Sequence, residues 1–346
     1  MSNGMPNIID LFCGCGGFSL GFERAGFNVL SGIDVWADAL KTFEFNHKLS
    51  RTLQADLSQL PPSDTESLFE GKPVDVIIGG PPCQGFSVAG KRIVEDSRNK
   101  LYKGFVNFVA YYRPKAFVME NVPNILSIGN GLVRESILAD FSKLGYTVEC
   151  KILMASDYGV PQNRRRAFFV GFQNGHHFRF PDPFDMPKVT AEEAISDLPE
   201  QSISDGSNYV SAPLSEYQKL MRENSRELNN HQVTVHNQQT VEIISLVPDG
   251  GNYKDLPPHL RETRKVHIAW TRLNSKKPSF TIDTGHRHHF HYSFNRIPTA
   301  RECARLQSFP DDFYFTCSRT SQMKQIGNAV PPLLGEAIAK SLLRQL

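Results

Sequence analysis

Val74-Asp75-Val76-Ile77-Ile78-Gly79-Gly80-Pro81-Pro82-Cys83-Gln84-Gly85-Phe86-Ser87 decides how the rest of the chain is read. The run Val74 to Ile78, apolar but for Asp75, predicts a parallel strand buried on both faces. Two glycines and two prolines then end that strand in a stiff turn. Open α/β sheets bind ligands at the carboxyl ends of their strands, so rigid backbone carries Cys83 to that edge. A free thiol is only a few per cent thiolate near neutral pH, so a cysteine used for attack needs help from its surroundings. Most cysteines are simply small buried hydrophobes. Burial alone requires neither the Gly-Gly-Pro-Pro lead-in nor the polar Gln84-Gly85-Phe86-Ser87 behind it.

Upstream, Asn7 to Phe12 reads as a first strand, ended by Cys13-Gly14-Cys15-Gly16-Gly17. A helix with Phe18, Phe22 and Ala25 follows and stops at Gly26. Strand, glycine turn, helix is the layout of a nucleotide-type cofactor site, where backbone comes close to the ligand. It is not the dinucleotide fingerprint, because Ser19 stands where the third glycine belongs. Cys13 and Cys15 have no Cys or His partner at ligand spacing, so no metal is expected there. A second strand, Asn28 to Ile33, delivers Asp34, placed to accept from ribose hydroxyls. Asp56 falls at the next strand end, where an acid can accept from an adenine amine. Singly, each acid reads equally as a cap or a solvated loop residue.

Downstream, Lys91 to Lys100 is polar and basic, a surface loop or a lid. A helix carries Leu101, Phe105, Phe108, Val109 and Tyr112, and the strand Ala116 to Met119 delivers Glu120. A carboxylate after four apolar residues is expected to be partly desolvated and able to carry a proton. A helix is read at 132–144 and a strand from Thr147 to Met154. Gln162-Asn163-Arg164-Arg165-Arg166 then runs into a strand from Ala167 to Gly171. Strand alternation puts Arg164 and Arg166 on one side, where two guanidinium forks suit a phosphate and a base carbonyl. From Phe184 to Ser293 the pattern loosens into a second, irregular domain. Eight of the eleven histidines lie between His231 and His291. Gln325 to Pro332 reads as the opening of a C-terminal helix.

At 346 residues the chain can bury one large core and a smaller second one. Six cysteines without a secretory leader point to free thiols in a reducing cytosol. No apolar run approaches membrane-spanning length. The net charge of +2 leaves nucleic acid open, since one basic face suffices to bind it.

Taken in order, Asp10–Phe27, Gly79–Ser87, Glu120–Val122, Gln162–Arg166, Arg301–Pro310 and Gly327–Val330 resemble the motif blocks of bacterial DNA cytosine-5 methyltransferases nearly end to end. Asp96-Ser97-Arg98-Asn99 with Leu101 adds a partial match. The resemblance implies an α/β fold, the methyltransferase variant of the Rossmann-like doubly wound sheet, with the last helix packed beside the first. It implies a catalytic domain of 1–183 plus 320–346, and a smaller irregular DNA-recognition domain with its hinge at 184–319. It also implies Cys83 as the nucleophile toward cytosine C6, Glu120 at N3 and the exocyclic amine, Arg164 at O2 and the adjoining phosphate, and Arg166 in support. S-adenosylmethionine would be the methyl donor and S-adenosylhomocysteine the product, with no metal. Its contacts would be Phe12, Gly14, Gly16, Gly17, Asp34, Val35, Asp56, Leu57, Gly80, Leu101, Asn328 and Val330.

The target base must leave the duplex to meet Cys83 and Glu120 together. By resemblance, Gln84, Ser87 and Arg98 lie near the double-stranded DNA. Arg261, Arg264, Arg272 and Arg287 are candidate base readers, because Arg matches the edge of guanine bidentately. Residues 211–290 hold eleven Lys/Arg against eight Asp/Glu, only mildly basic. The histidine cluster predicts DNA binding that tightens as pH falls towards about 6. One departure from the family pattern is His291-Tyr292, where His-Pro is usual, which puts the local turn in question. A monomer, bacterial cytoplasmic and working on the nucleoid, either paired functionally with a restriction endonuclease or acting alone, completes the expectation. The alternatives are a tRNA cytosine-5 methyltransferase on the same fold and a non-catalytic DNA-binding relative. A nicotinamide dehydrogenase is disfavoured by Ser19 and by Pro82-Cys83 at a strand end.

Overall fold

Apolar runs ended by glycine, proline or acid build the sheet of the first unit. A computed structural model describes residues 4–82, 100–173, 175–261, 270–285 and 289–346. These divide into two units, Met1–Met154 with Arg165–Pro183 and Pro332–Leu346, and Ala155–Arg164 with Phe184–Pro331. The first holds β1 (Asn7–Leu11), β2 (Asn28–Asp34), β3 (Arg51–Gln54), β4 (Val76–Gly79), β5 (Ala116–Asn121), β6 (Tyr146–Met154) and β7 (Arg165–Gln173). They form one seven-stranded sheet in the order β3-β2-β1-β4-β5-β7-β6. β1 to β5 pair in parallel, whereas β7 runs antiparallel to both β5 and β6. Strand order reverses at β1 and β4, so their carboxyl ends form the switch-point crevice of a doubly wound sheet. There Gly79 is paired with Leu11, and a Cβ on it would stand 2.2 Å from the Leu11 carbonyl oxygen. Only glycine lets the two strand ends come this close.

Four helices of this unit follow the expected periods: α1 (Gly17–Arg24), α2 (Ala37–Asn46), α3 (Lys100–Tyr112) and α4 (Leu132–Lys143). Phe105 and Phe108 of α3 and Phe141 of α4 are buried against the sheet, and Phe117 of β5 stacks on Phe141 at 4.0 Å. The C-terminal helix (Pro332–Leu343) packs beside α1. A Cβ on Gly21 would lie 2.6 Å from the Pro332 carbonyl oxygen, and Arg24 bonds Glu336 at 2.9 Å. The expected return of the last helix to the first is thus the observed packing.

The second unit is short of regular structure. Among the described residues its α-helices are α5 (Ala191–Ile195), α6 (Glu216–Arg222), α7 (Gln238–Ser245), α8 (Ala300–Leu306) and α9 (Arg319–Asn328), and its two ladders are two residues long each. Every residue of α8 is buried, including Arg301, Glu302 and Arg305. Thr299 caps it in a reciprocal capping box with Glu302. The boundary differs from the sequence reading in two places. Residues 155–164 and 320–331 group with this unit, because Gln162 and Arg164 bond its backbone and α9 packs on α8. Residues Gln325 to Asn328 accordingly end α9, and the C-terminal helix opens only at Pro332.

Candidate active site

β1 ends in backbone that few side chains tolerate. Phe12 has φ 60, Gly14 φ 54 and Gly16 φ 94. A Cβ on Gly14 would meet nothing within 4 Å, so the turn faces open space there. The Gly14 N–H donates to Asp34 Oδ2 at 2.8 Å, and the Trp36 N–H to Asp34 Oδ1 at 2.8 Å. Asp34 therefore bridges the glycine turn and the end of β2. Burial raises its pKa against the opposing pull of these amides. Gly17 is buried at the start of α1, and Val35 is exposed beside Asp34. The Ala55 N–H donates to the Asp34 carbonyl at 3.0 Å, which brings the Asp56 turn alongside. Asp56 is exposed, and the Ser58 amide (2.9 Å) lowers its pKa. Leu57 is buried under α3, where a Cβ on Gly104 would stand 2.3 Å from its carbonyl oxygen, and Leu101 is half-buried in the first turn of that helix.

Glu120 lies one strand over, at the end of β5. Its Oε1 accepts from Arg166 Nε at 2.8 Å, with both side chains mostly buried. Arg166 Nη1 donates to the Arg165 carbonyl at 2.8 Å, which fixes the guanidinium. A Cβ on Gly80 would come within 3.1 Å of Glu120 Oε2, so the second glycine of Gly79-Gly80-Pro81-Pro82 makes room for that carboxylate. Next to it, Asn121 Nδ2 donates to the Pro81 carbonyl at 2.9 Å while its Oδ1 accepts from the Val122 N–H at 2.8 Å. Cys83 lies outside the described residues, as do Gln84, Ser87, Arg98, Arg264 and Arg287.

Arg164 departs from the sequence reading. β7 begins at Arg165, so strand alternation does not pair Arg164 with Arg166. Arg164 is instead buried in the second unit, its Nη1 donating to the Ile282 carbonyl (3.1 Å) and its Nη2 to Gly327 (2.8 Å) and Ala329 (3.1 Å). Gln162 beside it donates to the Leu306 carbonyl and accepts from the Ile282 N–H. The Gln-Asn-Arg block and the Gly327–Val330 block are thereby knitted together. Asn328 is exposed at the end of α9 and Val330 is buried. A Cβ on Gly327 would stand 2.5 Å from the Asp283 backbone, so glycine is required there.

Arg272 is no base reader. Its five N–H groups donate to the carbonyls of Val247, His291, Phe294 and Ile244 and to Asn295 Oδ1, at 2.6–3.2 Å. With 4% exposure and no donor left, it organises the backbone around the cluster of Ile243, Ile244, Trp270 and Phe290. Arg261 is exposed, its Nε donating to the Leu256 carbonyl.

The histidine expectation also changes. His231 and His291 are buried, and burial pushes both below the usual imidazole range, His291 to about 4. Burial therefore works against charge on these two as pH falls. His291 Nδ1 accepts from the N–H groups of Ser293 and Phe294, each at 3.1 Å. That bond holds the turn which the missing proline left in question.

A profile of C-5 cytosine-specific DNA methylases matches residues 6–344. The chain belongs to that family. It is a DNA cytosine-5 methyltransferase. Among its relatives, type II methyltransferase M1.HphI of Haemophilus parahaemolyticus is 41% identical, with 97% of this chain and 86% of the relative covered. M.DdeI of Desulfomicrobium norvegicum is 39% identical, with 97% and 88% covered. A solved E. coli chain encoded within a prophage and assigned as a DNA modification methyltransferase superposes with a TM-score of 0.81 at 30% identity, with 98% and 99% covered. The S. pombe Dnmt2 methyltransferase, at 16% identity and a TM-score of 0.61, shares the fold.

Two features of this methylase escaped the sequence reading. The Asn121 amide ties the strand end to the Pro81 turn. The arginines Arg301 and Arg305 are buried in the core. Among the described residues no group of three or more His, Cys, Asp or Glu side chains is placed to hold a metal ion, and no helix is long and apolar enough to cross a membrane.

Proposed function

We propose that the methylase acts on one short sequence in double-stranded DNA, with Cys83 as nucleophile and Glu120 as the proton-sharing acid at the flipped cytosine. The observation that carries this reading is Glu120 at the end of a buried strand, with Oε1 held by Arg166 at 2.8 Å and Oε2 turned toward Gly80. A clamped carboxyl at the head of the Gly-Gly-Pro-Pro turn suits the N3 and amino edge of a cytosine delivered to the neighbouring cysteine.

Cytosine C5 is a poor nucleophile while the ring is aromatic. The Cys83 thiolate forms a bond to C6, and Glu120 shares its proton with N3, so the ring accepts the electron pair and C5 becomes enamine-like. S-adenosylmethionine, when bound, supplies a methyl on a sulfonium centre that a carbon nucleophile can displace. Loss of the C5 proton then restores the double bond as the Cys83–C6 bond breaks and the thiolate leaves. Arg166 serves by holding Glu120 in one orientation. Arg164, enclosed by the carbonyls of Ile282, Gly327 and Ala329, supports the backbone of its motif, and a contact to the base O2 would have to come from within that cage.

The cofactor fits the first unit. The open face of Gly14, the Asp34 carboxylate and exposed Asp56 line three successive strand ends, as a nucleoside needs. Phe12, Gly16, Gly17, Val35, Leu57, Gly80 and Leu101 would contribute from the same edge, with Asn328 and Val330 as the second unit's candidates. The 184–319 region would read bases, with Arg261, Arg264 and Arg287 as the remaining arginine candidates. The curated relatives named type II methyltransferases favour a restriction-modification role in a bacterial cytoplasm.

The test is transfer of labelled methyl from S-adenosylmethionine to mixed-sequence duplex DNA, beside Cys83→Ala, with product positions mapped by bisulfite conversion. Methylation at C5 within one short repeated sequence, absent in the variant, is the expected result. Transfer that survives loss of Cys83, or that goes to tRNA instead, overturns the reading.

A further inference from the structure

We propose that His47 is a positioning residue for the cofactor edge, holding the Gly14–Gly17 turn to α1 and α2; the inference rests on the cofactor reading above. His47 caps the C-terminus of α2, and its side chain is fully buried. Its Nε2 lies 3.2 Å from the Gly16 carbonyl oxygen, and its Nδ1 2.9 Å from Glu23 Oε2. The ring is packed against Phe43 with centroids 4.3 Å apart. Gly16 and Glu23 are seven residues apart, two turns along one face of α1. One imidazole therefore links the end of α2 to both the start and the last turn of α1.

His47 also leaves no room for a side chain at residue 16. Gly16 has φ 94, and a Cβ built on it would stand 2.2 Å from His47 Nε2 and 2.9 Å from Phe43 Cδ2. The imidazole occupies the space a side chain at residue 16 would fill. The Gly16 carbonyl accepts from the Leu20 N–H at 2.8 Å as well. Its orientation is thus fixed by the helix on one side and by His47 on the other. At the far end of the turn, the Gly14 N–H holds Asp34 at 2.8 Å. A turn pinned at Gly14 by Asp34 and at Gly16 by His47 has no slack. Releasing His47 lets the turn shift and carries Asp34 with it, so the loss falls on the cofactor and not on DNA.

The experiment is calorimetric binding of S-adenosylhomocysteine to the full-length enzyme, alongside binding of a DNA duplex that carries the target sequence. His47→Phe keeps a ring against Phe43 but removes both ring-nitrogen contacts. It is expected to weaken S-adenosylhomocysteine about tenfold, the worth of a hydrogen bond to a held group, with DNA affinity within about twofold of wild type. His47→Gln retains a side-chain N–H donor and is expected to recover part of the loss. Should His47→Phe fail to fold, Glu23→Ala and His47→Gln carry the test, each expected to weaken the cofactor product about threefold and leave DNA alone. Unchanged S-adenosylhomocysteine affinity in the folded variants, or an equal loss for both ligands, overturns the proposal. Wild-type enzyme that binds no S-adenosylhomocysteine would instead sink the cofactor reading itself.

Discussion

The two units of this methylase bury polar backbone by opposite means. In the first, ladder hydrogen bonds of a seven-stranded sheet satisfy the main chain, and the side chains between sheet and helices are Phe105, Phe108, Phe117 and Phe141. In the second, loops replace ladders, and arginines take over the main-chain accounting. Arg301 donates to the carbonyls of Asn229, Pro310 and Phe313. Arg272 serves four carbonyls around the Trp270 cluster, and Arg164 three more. A guanidinium presents five donors in a rigid plane, so one side chain can terminate several loops at once. The lesson is that a fully buried arginine marks irregular structure that has to be rigid.

Buried acids follow the same division. Asp10 of β1 has Ser19 Oγ as its donor at 2.7 Å, and burial pushes its pKa up to about 8. Glu302 of α8 is equally buried, which opposes its charge, yet the Arg296 guanidinium (2.7 and 2.8 Å) holds it at about 2. One unit keeps its core acid neutral; the other keeps its core acid charged.

The contrast is broken most directly at Arg305, whose guanidinium meets Asp311 at 2.8 and 2.7 Å and also Asp197. Arg305→Met should cost about 3 kcal/mol, because two buried carboxylates lose a cation, Asp197 keeping Arg222 and Asp311 keeping Arg301 and the Tyr209 hydroxyl. Denaturant unfolding checks this, and a loss under about 1 kcal/mol would mean that the network is ornamental. Phe117→Ala in the apolar core should cost about 3 to 4 kcal/mol through a cavity between Phe105, Phe141 and Tyr146. Its stability loss should not depend on pH, whereas that of Arg305→Met should shrink in acid as Asp197 and Asp311 protonate.

Acid and base should then separate the units. His291 titrates near 4 when folded against an ordinary 6.5, so the unfolded chain binds more protons between those values. Stability of the second unit should fall as pH drops through that window, on the order of 3 kcal/mol. Glu302 adds to the loss once pH falls below its ordinary 4.5 and continues to do so down to about 2. Asp10 has the opposite sign. Its folded pKa lies above its ordinary one, so its contribution is present below pH 4 and lost as pH rises through about 8. The chain has two tryptophans, Trp36 in the first unit and Trp270 in the second. Urea unfolding of Trp36→Phe and Trp270→Phe variants reads each unit by the fluorescence that remains. Shifts of the same sign in both would erase the contrast.

The smallest effect is expected at Gly80. Gly80→Ala puts a methyl about 3.1 Å from Glu120 Oε2, so the carboxylate must give by a few tenths of an ångström. Turnover should drop several-fold, about 1 kcal/mol of barrier. Steady-state rates with saturating DNA check it; a variant of full activity would mean that the position of Oε2 is not critical.

Much of the first unit was legible because its elements are local. Apolar runs ended by Gly14, Asp34, Gly79 and Glu120 mark strands and their carboxyl edges, and the family blocks fall on those same edges. The backbone contacts of Arg272 and Arg164 were not legible for the opposite reason. An arginine in a loop has the same local sequence whether it reaches for a phosphate or for four carbonyls of its own chain. His47 lacked a signal because its partners, Gly16 and Glu23, lie 31 and 24 residues away.

By itself, then, the sequence determined the order of strands and turns, the family and its chemistry, because period, turn residue and motif act over short stretches of chain. Only the tertiary structure decided which charged groups are tools and which are struts. That choice depends on what surrounds each side chain, and the surroundings of Arg272, Glu302 and His291 are assembled from segments distant in sequence.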